Sequence, residues 1–236
     1  MIFISFKKVI ASFSILLIAF LVSIIGFSEN KLIETSGEIK TKRIIVDAGH
    51  GLPDGGAVAS NGIEEASLNL QIATKLQEEL ENNGYNVIMT RTTENSIADS
   101  DKQSSIKQIK TSDLNNRVKI ANESKADFMI SIHMNKYSES KYWGWQTFYS
   151  KNSKEGEKLA TLIQNSISNN IKERENNRTP LSIEGIKIVD KTSIPVVIVE
   201  CGFLSNADDL KLLQTTEYQE KIVNGIIEGI IEYYRK

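Results

Sequence analysis

The chain has 236 residues, 40% of them hydrophobic and 25% charged, which is enough for one domain with a full hydrophobic core and a short extension. Net charge is −2, and outside the first 28 residues 26 basic side chains face 30 acidic ones, so the basic face that nucleic acid needs is missing. A single cysteine, Cys201, excludes an internal disulfide but not secretion.

Residues 1–28 begin with Lys7 and Lys8, followed by an apolar run from Val9 to Phe27. The run is long for a signal h-region and just long enough to span a bilayer. It reads as a signal peptide or an uncleaved signal anchor, and the basic pair puts the bulk of the chain on the outer side. Glu29 to Lys42 is a polar linker, which leaves residues 43–236 for the folded domain.

Arg43 to Gly51 reads RIIVDAGHG, an apolar run closed by a glycine turn, the pattern of a buried strand opening onto a loop. The loop from His50 to Gly62 holds four glycines, Gly51, Gly55, Gly56 and Gly62, and one proline. A helix is expected from Glu65, with Leu68, Ile72, Ala73, Leu76 and Leu80 on one face and Gly84 as its stop. NVIMTR, Asn86 to Arg91, is the next strand and completes a β-α-β unit. Thr92 to Thr111 is polar and reads as an exposed loop, with a helix starting at Ser112 or Asp113. Further strands are expected at Asp127–His133, Trp143–Tyr149, Gly185–Val189 and Pro195–Glu200. Amphipathic helices are expected at Glu155–Lys172 and Tyr218–Tyr234. The alternation implies an α/β fold, a single mostly parallel (mixed) twisted sheet flanked by helices.

Chemistry concentrates at the strand ends. His50 and His133 are the chain's only histidines, and each ends an apolar β run; Glu200 ends a third, and Glu65 opens the first helix. Ligands sit at the C-terminal ends of strands in open α/β sheets. Two histidines and a carboxylate suit a catalytic zinc with one open position, and a second, non-ligating glutamate can move the proton of a water. The bland alternatives are hydrogen-bonded structural histidines and glutamates that merely complement a helix dipole. Cys201 beside Glu200 alternates to the opposite face, which argues against a thiol nucleophile.

DAGHG, GIEE-ASLNL, Thr90–Arg91, LNNRVKIAN, ADFMISIHMN and PVVIVECGFLSN together resemble the zinc-dependent N-acetylmuramoyl-L-alanine amidases of the amidase_3 family, over about Arg43 to Tyr234. The resemblance implies one Zn2+ per chain held by His50, Glu65 and His133, with Glu200 as catalytic glutamate. Glu64 is the alternative ligand, because this chain has two adjacent glutamates followed by Ala66. Asn135 and Asn206 either bind substrate or brace their loops.

The implied reaction hydrolyses the amide between the lactyl group of N-acetylmuramic acid and L-alanine in peptidoglycan. The layout is similar to CwlD-like germination-specific amidases of spore formers, which prepare cortex muramic acid for muramic-δ-lactam. A general septal or autolytic amidase, a peptidase on the same plan and a non-catalytic wall-binding module are the competing functions. The expected location is the cell-wall or spore-cortex space, secreted or anchored to the membrane through the N-terminal segment. An exported activating or targeting protein is expected as partner, with Thr92–Thr111 and the aromatic run Tyr142–Trp145 as candidate surfaces.

Overall fold

The apolar runs form a single six-stranded sheet in the computed structural model, which describes residues 42–99 and 105–235. The expected export segment, and all of the expected linker but Lys42, lie outside the described residues. The strands are β1 (Arg43–Ala48), β2 (Asn86–Met89), β3 (Phe128–Asn135), β4 (Gln146–Ser150), β5 (Leu181–Ile183) and β6 (Val196–Phe203). Their order is β2-β1-β3-β6-β4-β5, with the first four parallel and β4 antiparallel to β6. The helices among the described residues are α1 (Glu65–Asn82), α2 (Ile106–Glu123), α3 (Lys154–Asn170), α4 (Lys187–Asp190), α5 (Ala207–Leu213) and α6 (Thr216–Arg235). None of them is long and apolar enough to cross a membrane.

Strand alternation divides the core in two. Ile44, Val46, Ile130, Ile132, Val197, Val199 and Cys201 point to one face and meet Leu68, Ile72 and Leu76 of α1, Ile163 and Ile167 of α3, and Ile222 and Ile226 of α6. Each of these fully buried aliphatic side chains contributes about 1.5–3 kcal/mol of transfer free energy. Ile45, Met129, Val196 and Ile198 point to the other face and meet Ala121 of α2 with Ile188 and Val189 of α4. Cys201 is therefore core, as its alternation with Glu200 implies.

Three expectations need correction. The helix expected from Ser112 starts at Ile106, because Ser105 caps it by accepting from the Gln108 amide, so residues 106–111 are helix and not loop. Gly185–Val189 is not a strand; Gly185 has φ +84, and Lys187–Asp190 is one turn of helix whose Ile188 and Val189 pack under the sheet. Trp145 in the aromatic run is buried, with its indole donating to Ser168, so it offers no docking surface.

Candidate functional site

The period of two along a strand builds the site. On the face of Ile45, Met129 and Ile198, the next same-side positions are Asp47 on β1, Ser131 and His133 on β3, and Glu200 on β6. Asp47 pairs in register with Ser131, and His133 with Glu200. All of them lie toward the C-terminal ends of the parallel strands. His133 is two residues short of the end of β3, while His50 lies two residues past the end of β1.

The loop after β1 turns sharply to bring His50 back over the strand ends. His50 itself sits at φ +59, a strained region for a residue with a side chain. A Cβ on Gly49 would lie 2.2 Å from the His133 ring, and one on Gly56 (φ +71) would meet Glu65 and the His50 ring. These two glycines make room for the cluster. Glu65, first residue of α1, reaches both imidazoles: Oε2 lies 3.3 Å from His50 Nε2, and Oε1 lies 2.9 Å from His133 Nδ1. The backbone amides of Ala57 and Met134 also donate to its carboxylate. The imidazoles meet edge to face at 5.1 Å. Glu64 stays outside as the residue before the helix, its carboxyl against Gly55.

The electrostatics split the two glutamates. Burial would raise the Glu65 pKa, but His133 and His50 outweigh it and hold the carboxyl far below the usual carboxylate range. Burial pushes Glu200 up to about 7, with Glu65 adding repulsion against the pull of the histidines. Although Glu200 as a residue is half-buried, its Oε2 is shielded from solvent and has no hydrogen-bond partner. Burial would lower the His50 pKa, yet Glu65 and Asp54 raise it.

Two arginines and an aspartate hold the His50 loop. Arg91 donates to the carbonyls of Ala48, Gly49, Thr93 and Ala66. Arg117 pairs with buried Asp47 and with Asp113, and donates to the carbonyls of Ala48 and His50. Asp54 accepts from His50 Nδ1 at 3.0 Å and is paired with Lys110 of α2 at 3.1 Å. Sequence reasoning assigned no role to Asp54, Arg91 or Arg117, although both arginines fall in the motifs it quoted. Only a pattern of acceptor carbonyls could reveal them, and the sequence carries no such signal.

A family model for N-acetylmuramoyl-L-alanine amidases, Amidase_3, matches residues 44–232. The chain belongs to the Amidase_3 family. The germination-specific N-acetylmuramoyl-L-alanine amidase of Bacillus subtilis is 36% identical over 193 residues, 82% of this chain and 80% of that one. The CwlD amidase of Clostridioides difficile, solved in complex with the GerS lipoprotein, superposes with a TM-score of 0.80 at 38% identity, covering 83% of this chain and 99% of that one. The catalytic domain of CwlV from Bacillus (Paenibacillus) polymyxa gives 0.70 at 27% identity, covering 83% and 99%. The protein is an N-acetylmuramoyl-L-alanine amidase acting on peptidoglycan, with the mixed α/β sheet of its structural relatives.

The amidase's donor set fits zinc. A tetrahedral ion with N and O donors at ~2.0–2.1 Å needs donor–donor separations of about 3.3 Å. The two imidazole–carboxylate contacts are 3.3 and 2.9 Å, and the donor atoms of His50, Glu65 and His133 all lie within 4.8 Å of one another. The Asp54 contact fixes the Nδ1 side of His50 and leaves Nε2 for the ion, the usual outer support of a ligating histidine.

Around this centre, Asn135 accepts from the neighbouring Lys136 amide. Asn206 caps α5 by accepting from the Asp208 and Asp209 amides, and donates to the Ser140 carbonyl. Gln146 of β4 stands opposite Glu200 in register, the next side chain along the row from His133.

Proposed function

We propose that the amidase is a zinc hydrolase that separates intact stem peptides from muramic acid in spore cortex. The observation that carries the zinc reading is the convergence of His50, Glu65 and His133 beside a glutamate with an unpartnered oxygen. Zinc bound by those three residues would polarise an amide carbonyl and lower the pKa of water. Glu200 takes the proton of the attacking water and delivers it to the departing L-alanine amine. Burial makes Glu200 a stronger base than an exposed carboxylate, which suits a group that takes and then gives a proton. Asp54 keeps His50 in one tautomer. Asn135, on the same strand face as His133, contacts substrate, while Asn206 braces the loop beside it.

Identity to a germination-specific relative in Bacillus subtilis and to CwlD supports the cortex role. The reaction releases the lactyl carboxyl that muramic-δ-lactam formation consumes. The lipoprotein held by the Clostridioides difficile relative supports an exported lipoprotein as partner here. Export would take the domain to the cell-wall or cortex space, with residues 1–28 as signal or anchor and residues 29–42 as linker. The test is mass spectrometry of cortex-type peptidoglycan after digestion. Free, intact peptides beginning with L-alanine, lost on chelation and restored by zinc, are expected. Shortened peptides still attached to sugar would make the chain a peptidase and overturn the reading.

A further inference from the structure

Arg178 stands out among the arginines around the site. Arg117 is paired with Asp47 and Asp113, and Arg174 with Asp209. Arg91 spends its nitrogens on four carbonyls. Arg178 has only neutral acceptors: Nε donates to the Trp143 carbonyl and Nη1 to Gln146 Oε1, both at 3.2 Å. Its guanidinium lies 4.9 Å from the centre of the Phe203 ring. Among the described residues, no carboxylate pairs with it, and Nη2 has no hydrogen-bond partner.

The guanidinium is also held in place. Asn176 donates to the Trp145 carbonyl and accepts from the Arg178 amide. Gln146 Nε2 donates to the Thr179 carbonyl, and Gln164 donates to the Arg178 carbonyl. These bonds tie the loop to β4, so the remaining edge of the fork is oriented before any ligand arrives. A half-buried, preorganised guanidinium without a counter-ion is suited to an anion.

Its position names the anion. Across the sheet the row runs His133, Glu200, Gln146, and Arg178 is bonded to Gln146. One strand spacing of about 4.8 Å carries the row from Glu200 to Gln146, and the guanidinium beyond Gln146 lies against Phe203, three residues after Glu200 on β6. In a stem peptide, a carboxylate on the residue after L-alanine lies roughly 6 Å from the scissile nitrogen, one Cα step of ~3.8 Å plus the carboxyl group. With about 3 Å of contact at each end, Glu200 to that nitrogen and carboxylate to guanidinium, the substrate reaches up to about 12 Å from Glu200, enough to pass Gln146 and meet Arg178.

We infer that Arg178 binds the free α-carboxylate of the stem-peptide residue that follows L-alanine. The inference rests on the amidase reading above and adds a selectivity to it: a peptide with an acidic second residue over one amidated there. Gln146 holds the guanidinium, and Phe203 stacks beneath it.

The test compares two muramoyl peptides that differ only at the second residue, D-glutamate or D-isoglutamine, with the zinc-loaded full chain. Wild type should show kcat/KM about tenfold or more higher for the carboxylate. R178Q should remove that preference through KM and change the carboxamide substrate less than about twofold; R178K should keep part of it. Equal wild-type rates for both peptides would overturn the inference without any variant, and so would an R178Q loss equal on both, which describes a brace. Wild-type cleavage of neither peptide would overturn the amidase reading itself.

Discussion

The two flanks of the site are built on opposite rules. On the β1 side, buried charge is paired: Asp47 with Arg117, Thr90 and Ser131, Asp113 with Arg117, and the carbonyls of residues 48–50 with two guanidinium groups. On the β6–β4 side, Glu200 keeps a buried oxygen without a partner, and Arg178 keeps a guanidinium without a carboxylate. Buried polar groups normally find partners, because leaving them bare costs about 1–3 kcal/mol or more each. The charge-paired flank fixes where His50 stands, with Asn69 Oδ1 as its buried oxygen without a partner. In the function proposed above, the groups left free on the other flank are the ones that meet substrate.

Breaking the charge-paired flank should cost the most stability. Arg117→Leu strands Asp47 in the core and releases the His50 carbonyl, so we expect a loss of about 3–5 kcal/mol, read by thermal or urea unfolding. A loss below about 1 kcal/mol would mean that this network does not hold the loop. Asp54→Asn is subtler, since it removes the anion behind His50 and the partially exposed partner of Lys110 while leaving the Arg117 network intact. It should weaken zinc binding by about 10–100-fold in a chelator competition, with little change in Tm.

The smallest effect sharpens the other flank. The Glu200 carboxyl is raised to about 7 in the fold, above the ordinary 4.5 that the unfolded chain keeps. A group raised on folding contributes stability below its unfolded pKa, and that contribution is lost as pH rises through the folded value. With metal chelated, wild type should therefore lose a few degrees of Tm relative to Glu200→Gln between pH 5 and pH 8. Parallel Tm profiles for the two proteins would show that the carboxyl is not held in a charge-averse place.

What the sequence exposed was whatever depends on period and punctuation. The RIIV and PVVIV runs announced β1 and β6, and alternation correctly separated Glu200 from Cys201. The start of α2 was hidden because only Ile109 of residues 106–111 is buried, which leaves no apolar stripe to read. Ile186, Ile188 and Val189 carry strand propensity, yet packing against the sheet holds 187–190 as a helical turn. The seven-residue α5 was missed because its signal is the Asn206 cap, a residue considered instead as a substrate contact. Asp54 supports His50 from four residues away within an irregular loop, while Lys110 and Arg178 act across long sequence separations, and no local pattern encodes whether a charged side chain will find a partner.

The central claim is a division of labour: Glu65 completes the zinc site with His50 and His133, and Glu200 moves the proton. The most direct measurement is zinc content together with turnover for Glu65→Gln and Glu200→Gln, with Glu64→Gln as reference. The account predicts one zinc per chain in wild type, Glu64→Gln and Glu200→Gln. It predicts at least about a hundredfold loss of kcat in Glu200→Gln, and loss of both metal and activity in Glu65→Gln. Zinc retained by Glu65→Gln but lost from Glu200→Gln or Glu64→Gln would contradict it.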